Sequence, residues 1–246
     1  MQKKLSNEEI KAVLRAADEI IGEGGRSLLA KILKGSRDKK VLQFGLDKCP
    51  VYGYFRSETI DEITKKVDWM IDYDFLTTEY SGRLPLIYFT ERGWLIEMNQ
   101  RAGEFLTEWK EWLEQGETSP DMSYLKDRNR DMILLFLAKV KETGDKRLVP
   151  YLRLWEKMEY KKVRAEIQSV VEALETGTDG DTESSSIRKK AINEALEGEE
   201  PGDLLIKCWE CGDRFLFTVE EQKFFKKKGF VPPKRCKDCR NQRYEF

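Results

Sequence analysis

The cysteine pattern near the end of the chain constrains the fold more than any other feature. Four of the five cysteines form two Cys-x-x-Cys pairs, Cys208 with Cys211 and Cys236 with Cys239. Each pair can hold two thiolates on a tight knuckle, and four thiolates complete a structural zinc site with no open position. We therefore predict one structural Zn2+, whose binding contributes on the order of 10 kcal/mol or more to folding the tail. A pair of redox dithiols and an iron–sulfur site remain as alternatives.

The composition excludes several kinds of chemistry. The chain has no histidine, so Ser-His-Asp catalysis, Cys-His catalysis and His-ligated metals are impossible. The glycine-rich stretch Gly22–Ser27 lacks the lysine and the spacing of a phosphate-binding loop, which argues against an ATPase. Because no nucleophile, base and pocket can be assembled, we expect a non-enzymatic protein without a small-molecule substrate. The paired cysteines and the absence of an apolar leader predict a cytoplasmic protein that does not contact a membrane.

Charge is distributed in local patches. Basic and acidic residues nearly cancel, 44 against 45, so any nucleic-acid binding would depend on patches and not on net charge. Six basic residues and one acidic residue lie between Arg26 and Lys40, and nine basic and two acidic residues lie between Gln222 and Phe246. The first patch combines a helix end with glycine and serine, which lets backbone amides approach a phosphate. A solvated helix end without function is the alternative for that patch.

The first part of the chain has the pattern of a winged helix. Amphipathic helices are predicted at Ser6–Ile21, Ser27–Lys34 and Ser57–Ile71, the last with an alternative capping box at Thr59. Two strands follow, Phe75–Tyr80 and Leu84–Thr90, joined at Ser81-Gly82 with Arg83 at the tip. Three helices and a hairpin wing form a nucleic-acid-binding shape. Acidic residues on the exposed face of the third helix make it poorly suited to a major groove, so we favour the second helix and the wing as DNA contacts.

The rest of the chain is predicted to be helical until the cysteine-rich tail. An aromatic stripe on a helix over Thr90–Gln115 is interpreted as core. The acidic stretch that follows the helical region is expected to be largely disordered, with a short helix at Ile187–Leu196. In the tail, a strand at Phe215–Phe217 and a helix at Val219–Lys228 separate the cysteine pairs. The fold class is mainly α, with these predicted domains: a winged helix (α+β) with its C-terminal helix (1–115), a helical unit (124–175), an acidic flexible linker (176–203) and a small four-cysteine zinc ribbon (204–246).

The first domain resembles the RecQ C-terminal (RQC) domain. The resemblance rests on Gly25-Arg26-Ser27-Leu28-Leu29, Leu33-Lys34-Gly35-Ser36, Tyr52-Gly53, Ile71-x3-Phe75-Leu76 and Phe89-Thr90-x2-Gly93-Trp94-Leu95. In RecQ helicases this domain is a winged helix that binds duplex ends and branched DNA. No helicase core precedes it, so the chain is similar to the stand-alone, minor-type RQC proteins of bacteria, and motor-driven unwinding is not expected. The candidate DNA contacts are Arg26, Ser27, Lys34, Gly35, Ser36, Arg37, Lys39, Lys40 and Arg83. Among them, the resemblance assigns Lys34, Ser36 and Arg37 to a phosphate-contacting turn and Arg83 to the wing tip.

Two further resemblances concern the remaining domains. Thr143-Gly144-Asp145-Lys146 with Pro150 and Leu152, followed by Val163-Arg164, Val171 and Leu174, resembles a HEAT-type helical repeat. Such a repeat needs neighbouring helices. The tail resembles a bacterial module described as a probable zinc-binding domain. Its basic residues offer additional non-specific nucleic-acid contacts, namely Lys226, Lys227, Lys228, Lys234, Arg235, Arg240 and Arg243.

Three functions follow from these patterns. The leading hypothesis is a non-enzymatic protein that binds duplex or branched DNA through its winged helix, with a separate helicase as one candidate partner. An RNA-binding or ribosome-associated factor is the first alternative. A protein-interaction adaptor that uses the helical unit and the zinc module is the second.

Overall fold

The computed structural model describes residues 4–177, 182–198 and 201–241. The chain divides into two compact units. The first contains Met1–Trp94 together with Leu196–Phe246, and the second contains Leu95–Ala195. The cysteine-rich tail therefore belongs to the same unit as the winged helix, although the whole second unit separates them in sequence. The predicted domain boundaries treated these two segments as separate domains.

The winged-helix part of the first unit has the predicted order of helices and strands. Strands β1 and β2 pair antiparallel in a register from Leu76↔Phe89 to Ser81↔Leu84, which leaves Gly82 and Arg83 in the turn. The elements are α1 (Asn7–Asp18), α2 (Arg26–Lys34), α3 (Lys39–Gln43), α4 (Ile60–Asp72), β1 (Leu76–Ser81), β2 (Leu84–Phe89) and the start of α5 (Glu91–Gln115).

Capping boxes fix the starts of two of these helices. The Ser6 side chain accepts from the Glu9 backbone N–H at 3.3 Å, and the Glu9 carboxylate accepts from the Ser6 N–H at 2.8 Å. Thr59 and Glu62 make the same pair of bonds at the start of α4, so the chain uses the second of the two predicted start points. Both boxes satisfy N–H groups that have no partner inside a helix.

The end of the wing is locked to the start of α5. The Thr90 hydroxyl donates to the Phe75 carbonyl oxygen at 3.1 Å and accepts from the Gly93 N–H at 3.1 Å. A Cβ atom on Gly93 would lie 1.9 Å from the same carbonyl oxygen, so only glycine fits this position. This contact is the physical reason for the Phe-Thr-x-x-Gly sequence that closes the domain.

Helix α3 of the winged-helix part was not predicted. Asp38 caps α3 by accepting from the Lys40 backbone N–H at 3.0 Å. The helix has five residues and only Val41 is buried, so it is too short for hydrophobic periodicity to reveal it. A 3-10 turn at Leu46–Lys48 follows it.

An aromatic cluster forms the core of the second unit. Trp109 on α5 is fully buried, with ring centroids of Phe136 at 4.8 Å and Tyr151 at 5.7 Å. The Trp109 indole N–H donates to the Tyr124 hydroxyl at 3.0 Å. The aromatic stripe is therefore core, as predicted, and the end of α5 is one of the neighbours that the predicted repeat requires. The HEAT-type assignment stays a prediction. The other helices are α6 (Arg130–Thr143), α7 (Val149–Glu156), α8 (Lys161–Thr176) and α9 (Thr182–Glu197).

The acidic segment is more ordered than its composition predicted. Helix α9 extends over Thr182–Glu197, where the sequence analysis expected a largely disordered chain with a helix at Ile187–Leu196 only. That expectation is wrong for these residues because α9 gains tertiary contacts. Glu142 on α6 accepts from the Ser185 hydroxyl at 3.3 Å and forms an ion pair with Arg188.

The tail folds as a hairpin followed by two helices. Its strands pair antiparallel from Leu204↔Phe217 to Lys207↔Arg214 and enclose the first cysteine pair in their turn. The predicted strand and helix of the tail are confirmed. The elements are β3 (Leu204–Lys207), β4 (Arg214–Phe217), α10 (Val219–Lys228) and α11 (Lys237–Asn241). In the part of the chain that the structure describes, every helix is too short or too polar to cross a membrane.

Candidate metal centre and nucleic-acid interface

The four paired cysteines converge on one point. Their sulfur atoms all lie within 4.8 Å of one another, and the Sγ atoms of Cys211 and Cys236 are 3.9 Å apart. A tetrahedral centre of one zinc and four sulfurs, with bonds of about 2.3 Å, has sulfur–sulfur distances of about 3.8 Å. The observed spacing therefore fits zinc, and a fifth ligand has no place in such a site. Cys208, Cys211, Cys236 and Cys239 form the predicted structural Zn2+ site. Cys49 is buried elsewhere.

Backbone amides prepare this site for thiolates. The N–H groups of Cys236 and Glu210 both donate to the Cys208 sulfur at 3.4 Å, and these bonds lower the pKa of Cys208 to about 6. The neighbouring sulfur of Cys236 has the opposite effect on Cys239 and raises its pKa to about 12. Four thiolates at this spacing repel one another, so a divalent cation is needed to hold all of them ionised.

The two cysteine pairs occupy different kinds of backbone. The first pair lies in the β3–β4 turn, where the Cys208 N–H donates to the Asp213 carbonyl oxygen at 2.8 Å. The second pair opens α11, where the Arg240 N–H donates to the Cys236 carbonyl oxygen at 3.1 Å. A knuckle in a hairpin combined with a helix start is the arrangement of a treble clef. The expected ribbon would place both pairs on knuckles, so the four-cysteine module is confirmed with a more specific architecture.

The turn between α2 and α3 is the predicted phosphate-contacting segment. Gly35 ends α2 with a φ of 74°, and the N–H groups of Gly35 and Ser36 donate to the carbonyl oxygens of Ile32 and Lys31, both at 2.9 Å. A Cβ atom on Gly35 would lie 3.0 Å from the Cα of Gly53, so the conformation and the close approach both require glycine.

Three cations after this turn point into solvent. Arg37, Lys39 and Lys40 are exposed, and none of them forms an ion pair with another described residue. The acidic residue of the segment, Asp38, accepts from Lys31 at 2.8 Å. The Lys31 ammonium and the Lys40 N–H hold the pKa of Asp38 below its usual range. The close ion pair of Asp38 is therefore with Lys31 on α2 and not with the three exposed cations.

Other predicted contact residues have structural partners. The Lys34 ammonium donates to the carbonyl oxygens of Arg56 and Glu58, both at 2.6 Å, and so ties the turn to the segment before α4. The Ser36 hydroxyl accepts from the Asp38 N–H at 3.2 Å. Arg26 forms an ion pair with Asp68 on α4. Ser27 is exposed in the first turn of α2. Lys34 and Ser36 thus shape the turn, whereas the cations after it are available to a ligand.

The wing presents a second cation. Arg83 lies in the β1–β2 turn, is exposed and forms no ion pair within the described residues. The neighbouring Leu84 is 67% exposed. The tip therefore combines one positive charge with one apolar side chain.

Comparisons with known proteins agree with this geometry. Residues 6–112 match the family described as RQC domain. Residues 6–112 are therefore similar to RQC domains, and this part of the chain is called the RQC domain. Residues 202–245 match the family described as Probable treble clef domain. RQC domains bind DNA and are not themselves catalytic.

A RecQ helicase is a relative of part of the chain. The chain is 29% identical over 69 residues to the ATP-dependent DNA helicase RecQ of Bacillus subtilis (strain 168). The match covers 28% of this chain and 12% of the helicase, so the chain spans a small part of that protein's length. No solved structure matches the chain.

The treble clef docks on the RQC domain through its basic helix. Helix α10 packs against α4 and β1. Three ion pairs cross this contact: Lys226 with Asp74 at 3.0 Å, Lys227 with Asp68 at 3.7 Å and Lys223 with Asp72 at 3.9 Å. Burial raises the pKa of Asp72, and the positive charges of the lysines around it reduce that rise.

A close backbone approach supports the same contact. Gly229 ends α10 with a φ of 66°, and a Cβ atom there would lie 2.3 Å from the Tyr80 ring and 3.2 Å from the Thr78 carbonyl oxygen. Sequence reasoning missed this interface. The acidic residues on α4 were the sequence feature that could have indicated this interface, because they favour contact with a basic surface.

The tail cations that were predicted to contact nucleic acid differ in whether they form ion pairs within the chain. Lys226 and Lys227 pair with the RQC domain, and Arg235 pairs with Glu210 at 2.7 Å. Lys228 and Lys234 are exposed without an ion pair among the described residues, and Arg240 is half-buried. Arg243 lies outside the described residues.

Proposed function

We propose that this chain binds duplex or branched DNA through its RQC domain and catalyses no reaction of its own. The observation that carries the proposal is the set of three exposed cations, Arg37, Lys39 and Lys40, beside a turn that Gly35 and Lys34 hold in place. A rigid turn with unpaired cations suits phosphate contact because little ordering is needed on binding. The match to the RQC family supports DNA as the ligand.

The wing supplies a second contact in this proposal. Arg83 reaches a phosphate or a groove edge, while Leu84 packs against the end of a duplex or a sugar. Two contacts from one rigid domain fix the orientation of the DNA better than one contact does. Base pairs are held and not separated, since the tip has no aromatic residue to replace a stacked base.

The setting of the protein is part of the proposal. Helicases form forked DNA when they unwind a duplex, so a separate helicase is the partner that we propose. Reduced cysteines are needed for the zinc site and are maintained in the cytoplasm, which is where we place the protein.

A salt series tests the duplex contact. The affinity of the zinc-loaded chain for a labelled forked duplex is measured over increasing salt, beside a variant with Arg37, Lys39 and Lys40 changed to alanine. Each lost phosphate contact reduces the slope of log affinity against log salt by about 0.9, so the variant's slope should be shallower by up to about 3. The matched control changes Lys157, Lys161 and Lys162 to alanine, three exposed lysines of the second unit.

The control separates a local contact from net charge. We expect the control variant to keep the wild-type slope. Equal losses in both variants, or wild-type binding that is absent or independent of salt, would contradict the proposal. A matched RNA duplex as competitor decides between the DNA-binding and RNA-binding hypotheses.

A further inference from the structure

We propose that the treble clef binds single-stranded nucleic acid at a stacking site centred on Trp209. This site goes beyond the proposed duplex contact and does not depend on it. Trp209 lies in the β3–β4 turn between the zinc ligands Cys208 and Cys211, and its side chain is 73% exposed. The other five tryptophans of the chain are buried or half-buried. An indole is costly to leave in water, so its position on a turn anchored by two zinc ligands calls for a ligand.

The backbone around Trp209 is fixed on both sides. Cys208 and Cys211 anchor the turn at the zinc site, and the Trp209 N–H donates to the Lys234 carbonyl oxygen at 3.0 Å. The ring itself makes no aromatic contact with another described residue. The Lys234 ammonium lies over the ring, 4.5 Å from its centroid. The indole thus has a cation beside it while most of its surface stays exposed to a ligand.

Further cations lie at the base of the turn that carries this ring. Lys207 and Arg214 are direct cross-strand partners at the base of the turn, and both are exposed without an ion pair among the described residues. Glu210, one of two acidic residues in the turn, is neutralised by Arg235 at 2.7 Å. Asp213 is the other. Three available cations against one available carboxylate leave the site positive.

The hairpin extends the site away from the metal. Leu205 and Leu216 are cross-strand partners two residues from Lys207 and Arg214, so the four side chains share one face. Both leucines are more than half exposed. Along the hairpin, the exposed aromatic ring is followed by a pair of cations and then by two apolar side chains. This order suits a single strand, in which bases alternate with phosphates.

Charge decides between nucleic acid and a protein partner. The centre of a protein–protein interface is depleted of lysine, whereas here the Lys234 ammonium lies directly over the aromatic ring. Base stacking on an aromatic side chain combined with backbone cations is the usual mode of sequence-independent single-strand binding. The docking contacts to the RQC domain come from α10, and no hydrogen bond or ion pair joins residues 207–214 to the described residues before Trp94. The site is therefore accessible in the docked arrangement.

The first test uses the wild-type protein. The full zinc-loaded chain is titrated with oligonucleotides of thymidine and of uridine, each about 15 nucleotides long so that one site is filled, and tryptophan fluorescence is recorded. Stacking on Trp209 should quench part of the emission, and a variant with Trp209 changed to phenylalanine should lose that quenching. The two oligonucleotides show whether DNA or RNA is the better ligand. Saturable binding without a loss of Trp209 emission would overturn the proposal, as would no binding of either strand.

The second test uses affinity. Changing Trp209 to alanine should weaken oligonucleotide binding roughly tenfold, and changing it to phenylalanine should weaken it less, because a ring is retained. Tyr160 is the matched control, since it is also exposed with a lysine 5.6 Å above its ring. Tyr160→Ala should bind as the wild type does. A Trp209→Ala variant that retains one zinc per chain and wild-type affinity would contradict the proposal.

A third comparison keeps the two binding proposals distinguishable. The variant with Arg37, Lys39 and Lys40 changed to alanine should retain oligonucleotide binding, because those cations belong to the RQC domain. If that variant loses single-strand binding while Trp209→Ala keeps it, the stacking site is wrong and the RQC contact stands. If Trp209→Ala is the only variant that loses single-strand binding, the stacking site is supported, whatever the result with the forked duplex.

Discussion

Two basic runs of this chain look alike in sequence and differ in structure. After α2, Arg37, Lys39 and Lys40 are exposed and have no ion-pair partner among the described residues. On α10, Lys223, Lys226 and Lys227 each face an aspartate of the RQC domain. The first run is available to an external anion, and the second neutralises an acidic surface of its own protein. A run of lysines therefore indicates nucleic-acid binding only after the opposing surface is known.

The same comparison explains the acidic face of α4. Asp68 forms ion pairs with Arg26 on α2 and with Lys227 on α10, so one carboxylate joins three elements. Carboxylates on this helix made it a poor candidate for entry into a major groove. In the structure, two of them, Asp68 and Asp72, pair with lysines of the treble clef. Exposed pairs of this kind contribute little each, about 0–1 kcal/mol, so packing of α10 must supply the rest of the docking energy.

Removal of zinc is expected to have the largest effect on the contact between α10 and the RQC domain. Chelation is expected to unfold the treble clef, because metal binding supplies on the order of 10 kcal/mol of its folding free energy. Helix α10 should then lose hydrogen-exchange protection, and the acidic face of α4 should become more exposed. Helices α6 to α8 of the second unit serve as the internal control and should be unchanged. Unaltered protection of α10 after metal loss would show that docking alone holds that helix.

Gly229→Ala should loosen the docking with zinc still bound. The new Cβ would lie 2.3 Å from the Tyr80 ring, and overpacking of this kind costs about 1–3 kcal/mol. Chemical denaturation of the first unit measures the loss. Gly212→Ala is the matched control, since Gly212 also has a positive φ, of 79°, but a Cβ atom there would have no neighbouring atom within 4 Å. Equal destabilisation by both changes would mean that backbone strain, and not contact with the wing, is the cause.

The smallest effect is expected for the α10 lysines on duplex binding. A variant with Lys223, Lys226 and Lys227 changed to alanine should keep the wild-type salt slope for a forked duplex, because these cations are already paired within the chain. The variant lacking Arg37, Lys39 and Lys40 provides the contrast. A slope that falls by the same amount in both variants would show that the α10 pairs open when DNA binds.

Local patterns in the sequence predicted local structure well. Capping residues such as Ser6 and Thr59, the turn at Gly82 and the spacing of Cys208 from Cys211 each act over a few positions, and the structure confirms the elements that they specify. The zinc site was predictable because ligand identity and spacing alone define a four-cysteine centre. The RQC match rests on a similar short-range order of glycines and hydrophobic residues.

Long-range contacts were not predictable in the same way. Lys226 and Asp74 are 152 positions apart, and no periodicity links a lysine to one distant aspartate. The ordering of α9 depends on Glu142, which lies on another helix. The hydrogen bonds from Lys34 to the carbonyl oxygens of Arg56 and Glu58 are tertiary contacts too. Lys34 matched a phosphate-contact motif in the sequence, and the structure shows that it also has a structural role.

The division of the first unit between the two ends of the chain has a consequence for synthesis on the ribosome. At roughly 5–20 residues per second, the 152 positions between Asp74 and Lys226 correspond to a delay of about 8–30 s. During that interval the nascent RQC domain has its cations and its wing but lacks the helix that covers the carboxylates of α4. The order of translation thus makes the docking of the tail a late event in the maturation of each molecule.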